Sequence, residues 1–246
     1  MLAKCVGIVI RAIDYGETSK ILTVFSKELG KISLMARGAK KPISKFASVA
    51  QVFTKNHYLF HIGSGMGTLQ QGETIERFRR IHEDIVTLSV VTYIAECIDK
   101  ITIERQQDAP LYQLCLQIFS YLEAGYDSEI ILQIFEMKMI ERLGISPELS
   151  RCVNCGEVHQ YYTFSLQEGG LLCDQCASID PYRMKVSGKA IKLMRLFHMI
   201  DITRLGDITI SEATKSEIRI VIDRYIEQNA GLHLKSKKFL QQMQKL

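Results

Sequence analysis

From Lys4 to about Arg80 the apolar positions recur with a period of two. Val6 to Ile13 and Ile21 to Phe25 are rich in β-branched and aromatic residues, and Tyr15-Gly-Glu-Thr-Ser19 between them has turn chemistry. Leu29-Gly30-Lys31 turns into Ile32-Ser-Leu-Met-Ala-Arg37, where the alternation is clean. Ile32, Leu34 and Ala36 face one way and Ser33, Met35 and Arg37 the other, as in a strand with one face on a core and one in water. Val52 to Ile62 and Thr68 to Ile75 complete five strands in about eighty residues. Five short strands ahead of helices predict a small closed β-barrel, for which the OB-fold is the natural candidate.

Beyond Arg80 the period lengthens. Leu88, Val91, Ala95, Ile98 and Ile101 fall on one helical face, and Leu111, Leu114, Cys115, Ile118, Phe119 and Leu122 form a second stripe. Asp127-Ser128 caps a third helix, Glu129 to Leu143, apolar around much of its circumference and therefore central to a bundle; Gly144 and Pro147 end it. Ser187 caps a helix through His198, Ser211 to Gln228 forms another, and Leu232 to Met243 is a short basic amphipathic segment that docks as a last helix. The expected class is α+β: an OB-fold over residues 1–80, then an α-helical domain over 81–246 with a four-cysteine zinc ribbon inserted at 151–177.

That ribbon rests on Cys152-Val-Asn-Cys155-Gly156, followed after seventeen residues by Cys173-Asp-Gln-Cys176. Each C-x-x-C closes a tight turn that aims two sulfurs at one point, and Tyr161 to Ser165 and Gly169 to Leu172 read as short strands around a turn. Four protein ligands leave no open position for water, so the expected Zn2+ is structural. Disulfides are the plain alternative, but a two-residue gap is poor disulfide geometry. A thioredoxin-like pair would open a helix inside a βαβ unit, and neither pair does. Cys5, Cys97 and Cys115 lie in apolar runs and read as small core residues.

Composition narrows the class further. In 246 residues, 47% hydrophobic, there is no run of eighteen apolar residues, and Met-Leu-Ala-Lys-Cys has no secretory n-region. A cytoplasmic protein is expected, in a compartment that keeps thiols reduced for metal. The net charge of +4 says less than its placement. Arg37, Lys40, Lys41 and Lys45 lie within nine positions of the loop after the third strand, opened by Gly38 and Pro42 and ending at Phe46. Such a loop can track a phosphate backbone while Phe46 offers a ring for stacking; a merely solvated basic loop is the alternative. Arg77, Arg79 and Arg80 could extend the track, but Glu73, Glu76, Glu83 and Asp84 are near enough to pair with them, which is the expectation here.

Gly63-Ser-Gly-Met-Gly67 fails both the dinucleotide fingerprint and the P-loop pattern and reads as a hairpin turn. His57 and His61 would point to the same side of a strand, as ordinary barrel residues. No nucleophile elbow, H-E-x-x-H or spaced carboxylate pair occurs, so nothing argues for an enzyme. A metal-dependent nuclease lacks its carboxylate cluster.

Ile13-Asp-Tyr-Gly-Glu-Thr-Ser-Lys-Ile-Leu22, Leu29-Gly-Lys31 and Ala36-Arg-Gly-Ala-Lys-Lys-Pro42 together resemble the N-terminal domain of the bacterial RecO recombination-mediator family. Leu143-Gly144, Pro147-Glu-Leu149, Arg151-Cys152 and Leu234-Lys-Ser-Lys-Lys-Phe-Leu240 extend the resemblance over nearly the whole chain. It implies a non-catalytic protein of DNA repair and recombination that binds single- and double-stranded DNA and anneals complementary strands. It further implies contact with the acidic C-terminal tail of the single-stranded-DNA-binding protein, joint action with RecR in loading RecA, and residence at the nucleoid. The family's basic loop maps onto Arg37, Lys40, Lys41 and Lys45, and its metal site onto the four cysteines. For the acidic tail, Lys189, Lys192 and Arg195 are candidates, since a carboxylate-ended apolar peptide needs cations at the mouth of a groove. The competing reading is a zinc-stapled protein-interaction or RNA-binding scaffold.

Overall fold

A computed structural model of the chain describes residues 1–63, 65–206 and 208–244. Ser64, within the glycine-rich loop, lies outside the described residues. Five strands, β1 (Leu2–Tyr15), β2 (Ser19–Ser26), β3 (Gly30–Ala36), β4 (Lys55–His61) and β5 (Gly67–Glu76), close into a barrel in the order β1-β2-β3-β5-β4. The β3–β5 seam is parallel and the remaining pairings are antiparallel, the connectivity of an OB-fold. The alternation in β3 matches the sequence pattern: Ile32, Leu34 and Ala36 are buried while Ser33 and Met35 are not. They join Val9, Leu22, Val24, Phe60 and Leu69 in the barrel core. Gly67 is required at the seam, because a Cβ there would sit 2.8 Å from the Leu34 side chain.

Strand β1 runs past both ends of its predicted span and bends at an irregularity between Val9 and Arg11, which lets one strand pair with both β2 and β4. The chain then enters α1 (Arg79–Glu83), a single turn with no sequence signature of its own, α2 (Ile85–Ile101) and α3 (Ala109–Glu123). Asp84 starts α2 by accepting hydrogen bonds from the backbone N–H groups of Val86 and Thr87, and Asp108 starts α3 through Leu111 N–H. At the far end of the sequence α7 (Ser236–Met243) packs on α2. The Glu96 carboxylate accepts from Lys235 N–H, Ser236 N–H and the Ser236 hydroxyl, supplying the cap that α7 lacks in its own sequence. Residues 1–125 and 234–246 form one compact unit, holding the barrel, α1 to α3 and α7.

Residues 126–233 form a second unit. Its centre is α4 (Ser128–Arg142), buried on nearly all sides as its apolar circumference demands, with α5 (Gly188–Met199) and α6 (Glu212–Asn229) packed on it and on each other. Polar groups pin the α4–α6 contact: the buried Gln133 amide donates to Lys215 O at 2.8 Å, and Lys215 Nζ lies 2.7 Å from Asp127. Between α4 and α5 lies a small sheet in the order β7-β6-β8, from β6 (Tyr162–Ser165), β7 (Gly170–Cys173) and β8 (Met184–Lys185). The two-residue β8 is too short to announce itself by alternation.

Candidate metal centre and nucleic-acid face

The ribbon is built by two turns and one hairpin. After Cys152 the chain turns back through Cys152 O, which accepts from Gly156 N–H at 2.9 Å, and Gly156 takes a φ of +75°, a left-handed position that suits glycine. The β6–β7 hairpin delivers Cys173, and Cys173 O accepts from Cys176 N–H at 3.0 Å to close the second turn. All four sulfurs come within 4.8 Å of one another, with Cys152, Cys173 and Cys176 buried and Cys155 exposed. The seven cysteines of the chain are all free thiols, so the disulfide alternative falls.

Burial pushes the Cys152 thiol up, but backbone N–H groups of Cys155, Cys173 and Asn154 aimed at its sulfur outweigh this and bring it down to about 6. For Cys155 the balance reverses. The Glu157 N–H favours ionisation, yet desolvation and the sulfurs of Cys152, Cys173 and Cys176 hold its thiol up at about 11. For Cys176 the Asn154 amide, donating to its sulfur at 3.3 Å, favours ionisation, but desolvation and the sulfurs of Cys173 and Cys152 outweigh it and raise the thiol. Crowded together, the sulfurs of Cys152, Cys155 and Cys176 are pushed in opposite directions. A cation at the centre removes that conflict and lets all four act as thiolates, so the donor set fits a metal ion. His159 Nε2 lies 3.5 Å from the exposed Cys155 sulfur, a neighbour that the spacing of the cysteines did not reveal.

On the barrel, the loop between β3 and β4 carries the four predicted cations into different settings. Arg37 and Lys41 are exposed and make no ion pair among the described residues. Lys40 Nζ is 2.7 Å from the Asp14 carboxylate, whose pKa it lowers. Lys45 folds back, its Nζ donating to Gln70 O at 3.3 Å and lying 4.9 Å from the Phe46 ring centroid. Phe46 itself is 5% exposed and belongs to the barrel core. The expectation that it stacks on a base is therefore corrected: the segment after Ser44 curls through a turn, with Ala50 N–H donating to Phe46 O, and tucks the ring inside.

The pairing expected for the arginines after β5 is met only loosely: the Arg80 charge helps to lower the Asp84 pKa, after the hydrogen bonds from Thr87 and Val86, but at no close ion-pair distance. Among the described residues no ion pair joins Arg77, Arg79 or Arg80 to Glu73, Glu76, Glu83 or Asp84, and Asp84 is occupied in capping α2. These three arginines stay exposed.

Arg37 and Lys41 share a shallow depression of about 520 Å³ with Tyr15, Thr18, Ser19 and Met35. A larger cavity of about 740 Å³ opens on the barrel beside Lys4, Lys45 and His57, but Glu28 and Glu73 line it too, and mixed charge suits a polyanion poorly. His57 and His61 lie on the exposed face of β4 and belong to no metal-sized cluster among the described residues. On α5, Lys189 and Lys192 are exposed, whereas Arg195 is half-buried and its Nε donates to Leu149 O. The three recur every third residue along one side of that helix.

No helix among the described residues is long and apolar enough to cross a membrane. The family model described as "Recombination protein O N terminal" matches residues 1–78, and that described as "Recombination protein O C terminal" matches residues 82–238. The chain is 45% identical to the DNA repair protein RecO of Bacillus pumilus over 246 residues, covering 100% of this chain and 96% of that protein. It is 44% identical to the DNA repair protein RecO of Listeria welshimeri over 244 residues, 99% of this chain and 96% of the relative. Against the protein of the same name from Bacillus cereus the figures are 43% over 245 residues, 100% and 99%. Matched end to end, with the closed barrel and the four-cysteine cluster in place, the chain belongs to the RecO family of DNA repair proteins.

Proposed function

We propose that the chain is a DNA repair and recombination mediator that binds single- and double-stranded DNA and anneals complementary strands. In this reading it meets the acidic C-terminal tail of the single-stranded-DNA-binding protein and acts with RecR to promote RecA loading at the nucleoid. The barrel, residues 1–80, takes the DNA, and the region 81–246 carries the ribbon and recruits partners. Lys189 and Lys192 are the cations on offer to an acidic peptide; Arg195, already engaged by Leu149 O, is the weaker candidate. Cys152, Cys155, Cys173 and Cys176 would hold zinc, which supplies cross-linking and no reaction, since four sulfur ligands fill a tetrahedral shell.

The observation that carries the reading is the β3–β4 loop, which sets exposed Arg37 and Lys41 on the wall of an OB-type barrel. Annealing needs no covalent step. A cationic surface that holds two strands lowers their repulsion and raises their local concentration, and base pairing drives the rest. Contacts to phosphate keep the hold loose and nearly blind to sequence.

The test is fluorescence anisotropy of a labelled single-stranded oligonucleotide at several salt concentrations. Contacts from Arg37 and Lys41 alone give a log–log salt slope of about −1.4, and all four loop cations about −2.8. Arg37→Glu with Lys41→Glu should abolish annealing at an unchanged melting temperature. No binding by the wild-type protein at low salt would overturn the proposal and favour a protein-interaction scaffold.

A further inference from the structure

Strand register brings chemistry together on one outer patch of the barrel. Tyr15, at the end of β1, pairs with Ser19 at the start of β2, and Lys20 of β2 pairs with Ala36 at the end of β3. Arg37 therefore emerges one residue beyond the strand, next to Ser19. The adjoining cross-strand row is Ile13, Ile21 and Met35, on the same outward side as Tyr15. Tyr15 is 56% exposed and Ile13 47% exposed, a large apolar area for a surface that also carries Arg37 and Lys41. The depression of about 520 Å³ gathers Tyr15, Met35, Arg37 and Lys41, with Thr18 and Ser19 at its side. An aromatic face, a thioether floor, two cations without ion-pair partners among the described residues and two hydroxyl-bearing residues are what one nucleotide needs: its base stacks, its phosphate is neutralised, its edge is hydrogen-bonded.

We infer that this depression is a subsite for one unstacked nucleotide of a single strand, with the base on Tyr15 and the adjacent phosphate between Arg37 and Lys41. The inference rests on the DNA-binding reading and deepens it. It replaces the buried Phe46 with an exposed ring, and it gives the protein a preference for flexible single strands that a purely cationic loop lacks. A duplex keeps its bases stacked and meets only the cations. Two strands held by such sites present unstacked bases, ready to pair.

The experiment compares wild-type protein, Tyr15→Ala and Tyr15→Phe by anisotropy with a labelled oligo-dT, over a salt series and beside a duplex of equal length. Tyr15→Ala should weaken single-strand binding roughly 5- to 150-fold. Its salt slope and duplex affinity should not change, and Tyr15→Phe should bind as the wild type does. Independently of any variant, photocrosslinking of a 5-iodouracil-substituted oligonucleotide to the wild-type protein should map to Tyr15. Wild-type binding with Tyr15→Ala unaffected, equal losses in both variants, or an adduct confined to other residues each overturns the subsite and leaves the mediator reading standing. Absence of wild-type binding overturns the mediator reading itself.

Discussion

Four sulfurs within 4.8 Å of one another and four cations strung along nine residues of a loop are opposite ways of gathering groups of like charge. In the ribbon the charge is latent. Three of the four cysteines are buried, thiolates this close would repel one another without a counter-ion, and the side chains packed directly on them are few, Leu172, Val153 and Tyr162, while Phe164 and Leu171 are buried elsewhere on the same hairpin. On the barrel the cations stand in water, where screening makes their mutual repulsion small, and the fold beneath them has a closed hydrogen-bonded sheet and its own core. The difference teaches which ligand belongs to folding. On the proposed reading the ribbon depends on an ion for its stability, whereas the barrel holds its fold without a ligand.

Metal removal gives the largest separation between them. Structural zinc contributes on the order of 10 kcal/mol at neutral pH in small zinc domains, so stripping the metal, or Cys152→Ser with Cys173→Ser, should release the ribbon alone. Hydrogen exchange checks this: amides of β6 and β7 should lose protection while those of β1 to β5 keep theirs, with single-strand affinity unchanged. Stable protein with selectively lost DNA binding would instead move the ribbon into the DNA site.

Phe46→Ala is the corresponding blow to the barrel. Emptying a buried phenyl site costs about 3–5 kcal/mol, so the melting temperature should fall steeply while the salt slope of the folded protein stays as it was. A thermally unaltered variant with weakened single-strand binding would return Phe46 to the surface as a stacking group.

The same pair of sites shows why one was legible in the sequence and the other only in part. Metal ligation is local: two C-x-x-C turns fix each pair of sulfurs, and the only long-range requirement is a hairpin that the apolar runs around 161–172 already suggest. The barrel was legible for a similar reason, since alternation in β3 assigns faces residue by residue. The proposed nucleic-acid face depends instead on register. Tyr15 reads as a turn residue until β1–β2 pairing sets it beside Ser19, and Phe46 reads as a loop-end aromatic until the turn after Ser44 carries it inward. At Arg80 charge proximity in sequence indicated the field and not the contact: Asp84 feels the Arg80 charge while its carboxylate is held in hydrogen bonds as the N-cap of α2. The cap of α7 was hidden too, as Glu96 lies 140 residues from Ser236.

The smallest effect is the most pointed, because it should strengthen binding. Asp14 holds Lys40 at 2.7 Å and so withholds one loop cation from any phosphate. Its carboxylate is itself 60% exposed, so the pair contributes little to stability and Asp14→Asn should leave the melting temperature alone. Freed, Lys40 can meet a phosphate: single-strand affinity should rise at low salt, and the log–log slope should steepen by about 0.7. Acidification does not imitate the substitution. The Lys40 ammonium lowers the Asp14 pKa from its ordinary value of 3.8, so the carboxylate stays ionised above that range and the pair is lost only as pH falls through the depressed value. Between pH 8 and pH 5, then, Asp14 contributes no pH dependence to binding in the wild type, and the gain from Asp14→Asn should be constant across that window. Unchanged affinity and slope in the variant would place Lys40 off the path of the strand, and would leave Arg37 and Lys41 as the cations that carry it.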